Sequence, residues 1–568
     1  MNSRNTLAAL VALTPLAVAT PLDVGVAPAI ATLVQESADA RIEKGRGLLA
    51  QGKVAEAQIE FDAAAAAEPG VKTSVWVTRG WIAGLRFDDA LLAIDELKAK
   101  KASAGLVDYL YGMAFLGQAK NAVATGATGQ YTQSQFEDAL RSLKKAVNAD
   151  AARFADGWLA LAEAAWYSQD LEAGREAADK ALAFDRSNPE AQVIQGRVHF
   201  SAYVAEQDAA AKDKLWNSTY AAFEKAIVLL GTPDMLARQS LLADVHVQMG
   251  YLKGWKEDKV GAGASFANAL AWDPSRIDFP KAYALLGSVG FLAMCEEGSA
   301  RFTARAGESD ARNATASWWR GFAQFENAKW AECEASFRNA VRLWPAFVNS
   351  WYYVYRAAFS QQRYAEAIEG LVKFRQLDAE GLVQTIAGDL DRNRSVLNGL
   401  IAWCVDPEKQ KGALRNEDAA MICALFTQLE PGEARHWNNL GLFVRDQGDA
   451  LRMKRGAKPD PEVLQELWDR ALAAYERALE LKPKDPNIVN DTAVMLHYYL
   501  NREYDRVEEM YKLSNQLALA ELARTDISPD DRAVVEIAKR DSADNLRRLK
   551  KWQELVQQQP ELKPEQVR

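Results

Sequence analysis

Residues 314–345 read ATASWWRGFAQFENAKWAECEASFRNAVRLWP, and residues 346–377 continue as AFVNSWYYVYRAAFSQQRYAEAIEGLVKFRQL. Laid under each other, the halves match: Trp330 falls on Tyr364, Cys333 on Ala367, Phe337 on Leu371 and Ala340 on Phe374. The offset is about 34 residues, room for two helices and their turns. In the first half a small residue (Cys333) is followed by a bulky one four later and a small one three after that, so the three share a helical face. Pro345 then stops the helix. One such half cannot bury its apolar face alone. The period therefore predicts a stack of helix pairs, each closing on its neighbours.

Working outward, the same order recurs. From Ala38, the residues Gly45, Gly52, Ala57, Phe61, Ala64 and Pro69 take the small, turn, small, bulky, small and stop positions. Trp158, Leu161, Ala162, Ala165, Gly174, Ala178 and Ala181 repeat it, as do Gly196 with Phe223 and Ala226, and Ala262, Phe266, Ala269 and Pro274. It returns at Trp437, Gly441 and Gly448, with Ala471, Tyr475, Ala478 and Pro483. In period and pattern the chain resembles the tetratricopeptide repeat family. That resemblance implies an all-α fold, a right-handed superhelical solenoid of antiparallel helix pairs. Expected boundaries are a signal peptide at 1–19, a linker at 20–37, repeats at 38–377, an irregular helical segment at 378–432, repeats at 433–513 and capping helices at 514–568. Loops are expected at Asn121–Gln130 and Arg305–Asn313, and a charged insertion at Arg452–Asp460.

At 568 residues the chain exceeds one ordinary core, a limit that a solenoid escapes because each repeat packs only on its neighbours. A net charge of −9 and a pI near 5.4 argue against a nucleic-acid backbone as ligand. Arg4, the apolar run Leu7–Leu16 and Ala17-Val18-Ala19 read as a secretory signal; the alternative is an uncleaved anchor. The run is shorter than the roughly 20 residues of a spanning helix. An exported, periplasmic or extracellular location is expected, with no stable membrane insertion after cleavage. Four cysteines (295, 333, 404, 423) permit a Cys404–Cys423 bridge in an exported chain, but Cys333 sits where the repeat takes alanine, so buried thiols are the expectation.

Chemistry-bearing motifs are sparse. The four histidines form no HExxH, and no phosphate loop or nucleophile elbow occurs. His199 and His246 read as core imidazoles, and no enzyme, cofactor or metal is expected. The resemblance implies binding instead, through helix-A side chains that line a concave groove. That register selects Tyr352, Arg356 and Phe359, with Trp351, Val354, Tyr355 and Ala358 in the core. It also selects Leu159, Glu163 and Trp166; Asn438, Leu442 and Arg445; and Asn490, Val494 and His497. Aromatic anchors and arginine forks suit a protein or peptide partner; packing by the chain's own helices is the alternative. Asn439 matches one position of a carboxylate-clamping subset of the family, but its neighbours lack the lysines. In the Ala314 half, the strict register buries Ser317, Arg320 and Gln324 and turns Trp318, Phe322 and Phe325 to the groove. Burying an unpaired arginine is costly, so a one-residue slip is expected there. The functional expectation is an exported, non-catalytic scaffold holding a partner in its groove. The alternatives are a structural subunit of an envelope or surface assembly and, more distantly, an enzyme-associated regulatory subunit.

Overall fold

The computed structural model describes residues 36–127, 129–453 and 459–558. The expected signal peptide and most of the linker lie outside the described residues, as do 454–458 of the charged insertion. Among the described residues every regular element is helical. The chain divides into two compact units, one ending at Arg186 and the other beginning at Ser187.

The first unit holds four helix pairs: α1 (Ala38–Ala50) and α2 (Val54–Ala67), α3 (Val71–Ala83) and α4 (Phe87–Ala99), α5 (Ala104–Ala124) and α6 (Gln130–Ala149), α7 (Ala155–Tyr167) and α8 (Leu171–Phe184). The second opens with α9 (Pro189–Ala205) and α10 (Ala209–Leu230), then α11 (Leu236–Gly254) and α12 (Lys259–Trp272). There follow α13 (Phe279–Ala306), α14 (Asn313–Glu326), α15 (Trp330–Leu343), α16 (Ser350–Ser360) and α17 (Tyr364–Leu377). Next come α18 (Ala379–Ala387), α19 (Leu390–Cys404), α20 (Asn416–Leu429), α21 (Ala434–Met453) and α22 (Pro461–Leu481). Last are α23 (Pro486–Val494), a π-helical turn (Met495–Leu500), α24 (Tyr504–Leu522) and α25 (Pro529–Gln558).

The small-against-large pattern closes the pairs. A Cβ on Gly45 would lie 2.4 Å from the Phe61 ring, one on Gly250 2.8 Å from Phe266, and one on Gly321 2.9 Å from Phe337. In each case the ring stands sixteen residues after its glycine and is fully buried. Burying a phenylalanine contributes about 2–3 kcal/mol, and the missing methyl is what lets the helices approach that closely.

The turns between the two helices of a pair also repeat. Gly52, Leu85, Gln169, Glu257, Ala328 and Gln362 all adopt left-handed φ, between 56° and 75°. The next residue's N–H reaches back five residues, as from Lys329 to the Gln324 carbonyl and from Arg363 to Ala358, both 2.9 Å. This closure satisfies carbonyls that the helix end would otherwise leave open. The second helix ends on an extended residue, Glu68 (φ −141°) or Trp344 (φ −138°), ahead of Pro69 and Pro345, as proline requires of its predecessor.

Neighbouring pairs are also tied by charge. The buried Glu334 of α15 accepts from Arg363 at 3.0 Å through both oxygens, from Gln361 at 3.2 Å and from Arg338 at 2.9 Å. Its arginine partners are half exposed, and the fork geometry fixes the α16–α17 turn against α15.

Two expectations are corrected, both of them loops. Segment 378–432 holds α18, α19 and α20, whose Leu382, Leu397, Leu400 and Phe426 share one core with Phe374 and Tyr475. Its apolar spacing differs from that of the repeat. Residues 288–306 are helical beyond a break at Gly287 (φ 71°), so the second loop is confined to 307–312. Likewise α5 continues to Ala124, so residues 121–124 of the first expected loop are helical.

Candidate functional site

The α14 register is strict, and the expected slip is overturned. Ser317 and Gln324 are buried, and Arg320 is half-buried beside them. Their partners come from α15: Asn339 donates to Ser317 Oγ at 2.8 Å, Arg320 Nε to Ser336 Oγ at 3.1 Å, and Ser336 to Gln324 Oε1 at 2.8 Å. A hydrogen-bonded polar seam removes most of the burial penalty that argued for a slip. Burial still pulls the Arg320 guanidinium below its ordinary pKa, with Glu296 opposing.

The other face of α14 is consequently aromatic. Trp319 stacks on Phe279 at 4.8 Å, and Phe322 meets Tyr283 at 5.8 Å, both from the first turns of α13. Trp318 lies parallel to Phe322 at 6.0 Å and meets Tyr353 of α16 edge-on at 5.8 Å. Phe325 meets the same tyrosine at 5.2 Å, while Tyr353 stacks flat on the buried Phe337 at 4.5 Å. The Trp318 indole N–H donates to Asn349 at 3.2 Å, and Tyr283 OH to Glu326 at 3.3 Å. Tyr283, Trp318, Trp319, Phe322, Phe325 and Tyr353 are all half-buried rather than buried. They form a continuous row of partly exposed rings along α13, α14 and α16, fixed by edge and face contacts that favour a single geometry.

The favoured trio on α16 is placed differently. Val354, Tyr355 and Ala358 are fully buried, in line with the core assignment, whereas Trp351 is only half-buried. Arg356, expected to offer its fork to a partner, is only 8% exposed. Its Nη1 donates to Tyr352 OH at 2.9 Å and to Asn393 Oδ1 at 3.1 Å, and Asn393 also accepts from Tyr355 OH at 3.2 Å. Phe359 packs on Tyr364 at 5.4 Å and touches Gly399 of α19. The next helices thus cover this face with a hydrogen-bonded asparagine, and Arg356 faces the chain itself.

The remaining selected residues fall in two places. Leu159, Glu163 and Trp166 belong to the first unit, on the half-buried face of α7, where Lys120 pairs with Glu163 at 2.6 Å and Trp166 meets Tyr167 edge-on. Those on α21 and α23 lie in the second unit. Asn438 donates to Asp491 at 3.2 Å, Arg445 is bound to Asp446 at 2.8 Å, and Leu442 and Val494 flank the apolar core. Asn490 is buried, and His497 is buried with Nδ1 3.1 Å from Tyr511 OH and its ring stacked on Tyr498.

Sequence reading missed Tyr283, Trp319, Tyr353 and Asn393. A signal for Trp319 was present: α15 carries polar Ser336 and Asn339 on the side that must meet α14, which demands a polar partner and sends the α14 rings the other way.

No protein-family model matches the chain, and no curated protein matches it. Among solved structures it is similar to yeast Tom70, at 13% identity over 89% of this chain and 96% of that one, with a TM-score of 0.21. It is similar to the Cut9–Hcn1 hetero-tetramer of the APC/C at 13% identity over 89% and 97%, with a TM-score of 0.25. It is also similar to a tetratricopeptide repeat protein of Parabacteroides merdae at 12% over 54% and 93%, with a TM-score of 0.26. What decides the fold is the chain's own recurring turn and its ring-on-glycine closure at about 34 residues. In fold, the described residues are all-α, built of antiparallel helix pairs like those of tetratricopeptide repeats.

Within the array, all four cysteines are buried free thiols, and burial pushes Cys333, Cys404 and Cys423 up to about 12. His246 is buried as expected, and burial lowers it to about 4; His199 is half-buried. No group of three or more potential metal ligands occurs among the described residues, and none of their helices is long and apolar enough to cross a membrane.

Proposed function

We propose that the chain is an exported, non-catalytic scaffold that holds a protein or peptide partner on the aromatic face of α13, α14 and α16. The observation that carries this is the row of half-buried rings from Tyr283 to Tyr353, braced from behind by Phe279, Phe291 and Phe337. Tryptophan and tyrosine dominate interface hot spots because they offer large, stiff, amphipathic area at low entropic cost. Spaced rings on successive helices suit an extended segment that sets an apolar or cationic side chain between each pair. Export rests on Arg4, the Leu7–Leu16 run and the Ala17-Val18-Ala19 site.

The test is capture of the partner from native extract by the full chain, followed by mass spectrometry, in parallel with a Trp318→Ala/Phe322→Ala variant. A partner retained by the wild type and by an Ile59→Ala control should be lost by the double variant, with helical circular dichroism preserved. Equal retention by all three excludes the aromatic face. For export, Edman sequencing of the mature protein is expected to start near Thr20, and a start at Met1 removes cleavage from the proposal.

A further inference from the structure

The helix that begins at Pro486 does not end cleanly. It widens into the π turn Met495–Leu500 and then passes through two left-handed residues, Asn501 (φ 50°) and Glu503 (φ 58°), before α24. A π turn inserts a residue into the ladder and swings the following side chains off the regular row, a device frequent at functional sites. Here Tyr498 and Tyr499 are carried into the lining of a cavity of about 610 Å³, to which α25 contributes Arg548, Lys551, Trp552 and Leu555. That volume falls within the roughly 300–1,000 Å³ of small-molecule sites.

The lining is one-sided in charge. Among the described residues it contains Arg452, Arg548 and Lys551 and no carboxylate. Arg452 is committed to Asp449 at 2.8 Å, whose other oxygen takes the Tyr499 hydroxyl at 2.6 Å. Arg548 and Lys551 are exposed and have no carboxylate partner among the described residues. Two cations left facing an aromatic cavity attract an anion, and the low-dielectric ring walls strengthen that attraction relative to open water.

The rings are held in place beforehand. Tyr504 and Trp552 lie 4.3 Å apart, the His497 ring stacks on Tyr498 at 4.1 Å, and Tyr498 OH donates to Asn545 of α25 at 3.0 Å. Such anchoring lowers the ordering cost of binding. We propose that this cleft binds a small organic anion, a carboxylate or phosphate carried on a planar ring. Arg548 and Lys551 take the anionic group, and the Trp552 indole takes the ring. The cleft and the aromatic row of α13–α16 are built from different elements, so either proposal can fail alone.

The test is isothermal titration calorimetry of the full chain with phenyl phosphate and phenylacetate, against inorganic phosphate and benzyl alcohol. At least one ring anion should bind with a Kd at or below about 1 mM, and the two controls should bind at least about tenfold more weakly. Arg548→Ala/Lys551→Ala, at exposed positions, should weaken the ring anion by about tenfold or more without changing the melting temperature. Trp552→Leu should weaken it while sparing the charges. The proposal is overturned if neither ring anion binds, if the charge variant binds as the wild type does, or if inorganic phosphate matches phenyl phosphate. Heat from a pentaglutamate peptide alone would assign the cleft to an acidic partner and overturn it as well.

Discussion

Helices α14 and α16 begin their pairs at the same offset, end in the same left-handed turn and were read from one stretch of sequence, yet they present opposite faces. In α14 the polar residues bond the pair's own second helix, and the rings, packed on its Phe337, stay half-exposed; in α16 Val354, Tyr355 and Ala358 close the pair, and Arg356 turns to the next helices. Their closure is also inverted. Gly321 of α14 receives Phe337, whereas α16 carries the bulky Tyr355 and α17 supplies Gly370, where an added Cβ would sit 2.9 Å from the Tyr355 backbone nitrogen. The outward polar face of α16 is then capped by Asn393, and the outward rings of α14 are left half-exposed. A repeat thus specifies where a helix goes without specifying which chemistry it shows. That depends on what the neighbours supply.

Breaking the cap should have the largest effect. Asn393 is fully buried, accepts from Tyr355 and Arg356 and donates to the Asp389 carbonyl at 2.9 Å. Asn393→Leu would strand a buried guanidinium, and the expected loss is about 3 kcal/mol in urea unfolding followed by circular dichroism. A loss below about 1 kcal/mol would mean that Arg356 is not held by its cap, and the contrast between the two faces would go with it.

The aromatic face predicts the reverse balance. Trp318→Ala removes a half-buried ring, so its stability cost is about 1–2 kcal/mol, well under that of a core deletion. Its partner affinity should fall by about 30-fold or more, the signature of a hot spot. Tyr352→Phe, on the capped face, should change partner affinity by less than about threefold. If the two substitutions exchange these outcomes, the partner sits on α16 and the proposed face is wrong.

The inverted closure gives a finer comparison. Gly370→Ala forces a methyl against backbone, which cannot swing away, and should cost about 2 kcal/mol net of the helix-propensity gain. Gly321→Ala meets the edge of the Phe337 ring, which can tilt, and should cost about 1 kcal/mol or less. Thermal melting of the two variants ranks them, and equal costs would remove the distinction between a rigid and a yielding contact.

How much of this was legible follows from the range of each interaction. The pair closure was readable because Gly45 and Phe61, or Gly321 and Phe337, are near in sequence and recur. The core assignment of Val354, Tyr355 and Ala358 followed from the same period. What escaped was set by partners outside the period. Asn393 lies 37 residues beyond Arg356, in a segment whose helices do not repeat the pattern, so nothing near Arg356 announced that its fork was taken. The α14 register was misjudged for a related reason: the cost of burying Arg320 was weighed without its acceptor, Ser336. Of the candidate site, the ring positions 318, 322 and 325 lay in the strict register, but Tyr353 belongs to the row only because the two pairs bring it onto Phe337.

The turns provide the smallest effect and the control for the rest. Ala328 and Gln362 both hold left-handed backbone, φ 56° and 60°, where a side chain costs about 1–2 kcal/mol and glycine almost nothing. Glycine would return part of that gain through its larger unfolded-state entropy, about 0.4–1 kcal/mol. Ala328→Gly and Gln362→Gly should therefore each stabilise by about 0.5–1 kcal/mol, and by the same amount, because both turns donate from the next residue to a carbonyl five back at 2.9 Å. Equal shifts in the urea midpoint would show that the two pairs share one backbone frame, leaving their faces as the difference. Unequal shifts would move part of the contrast into the turn itself, with Glu334 the first residue to examine, since it grips Gln361 and Arg363 on either side of Gln362 and leaves Ala328 alone.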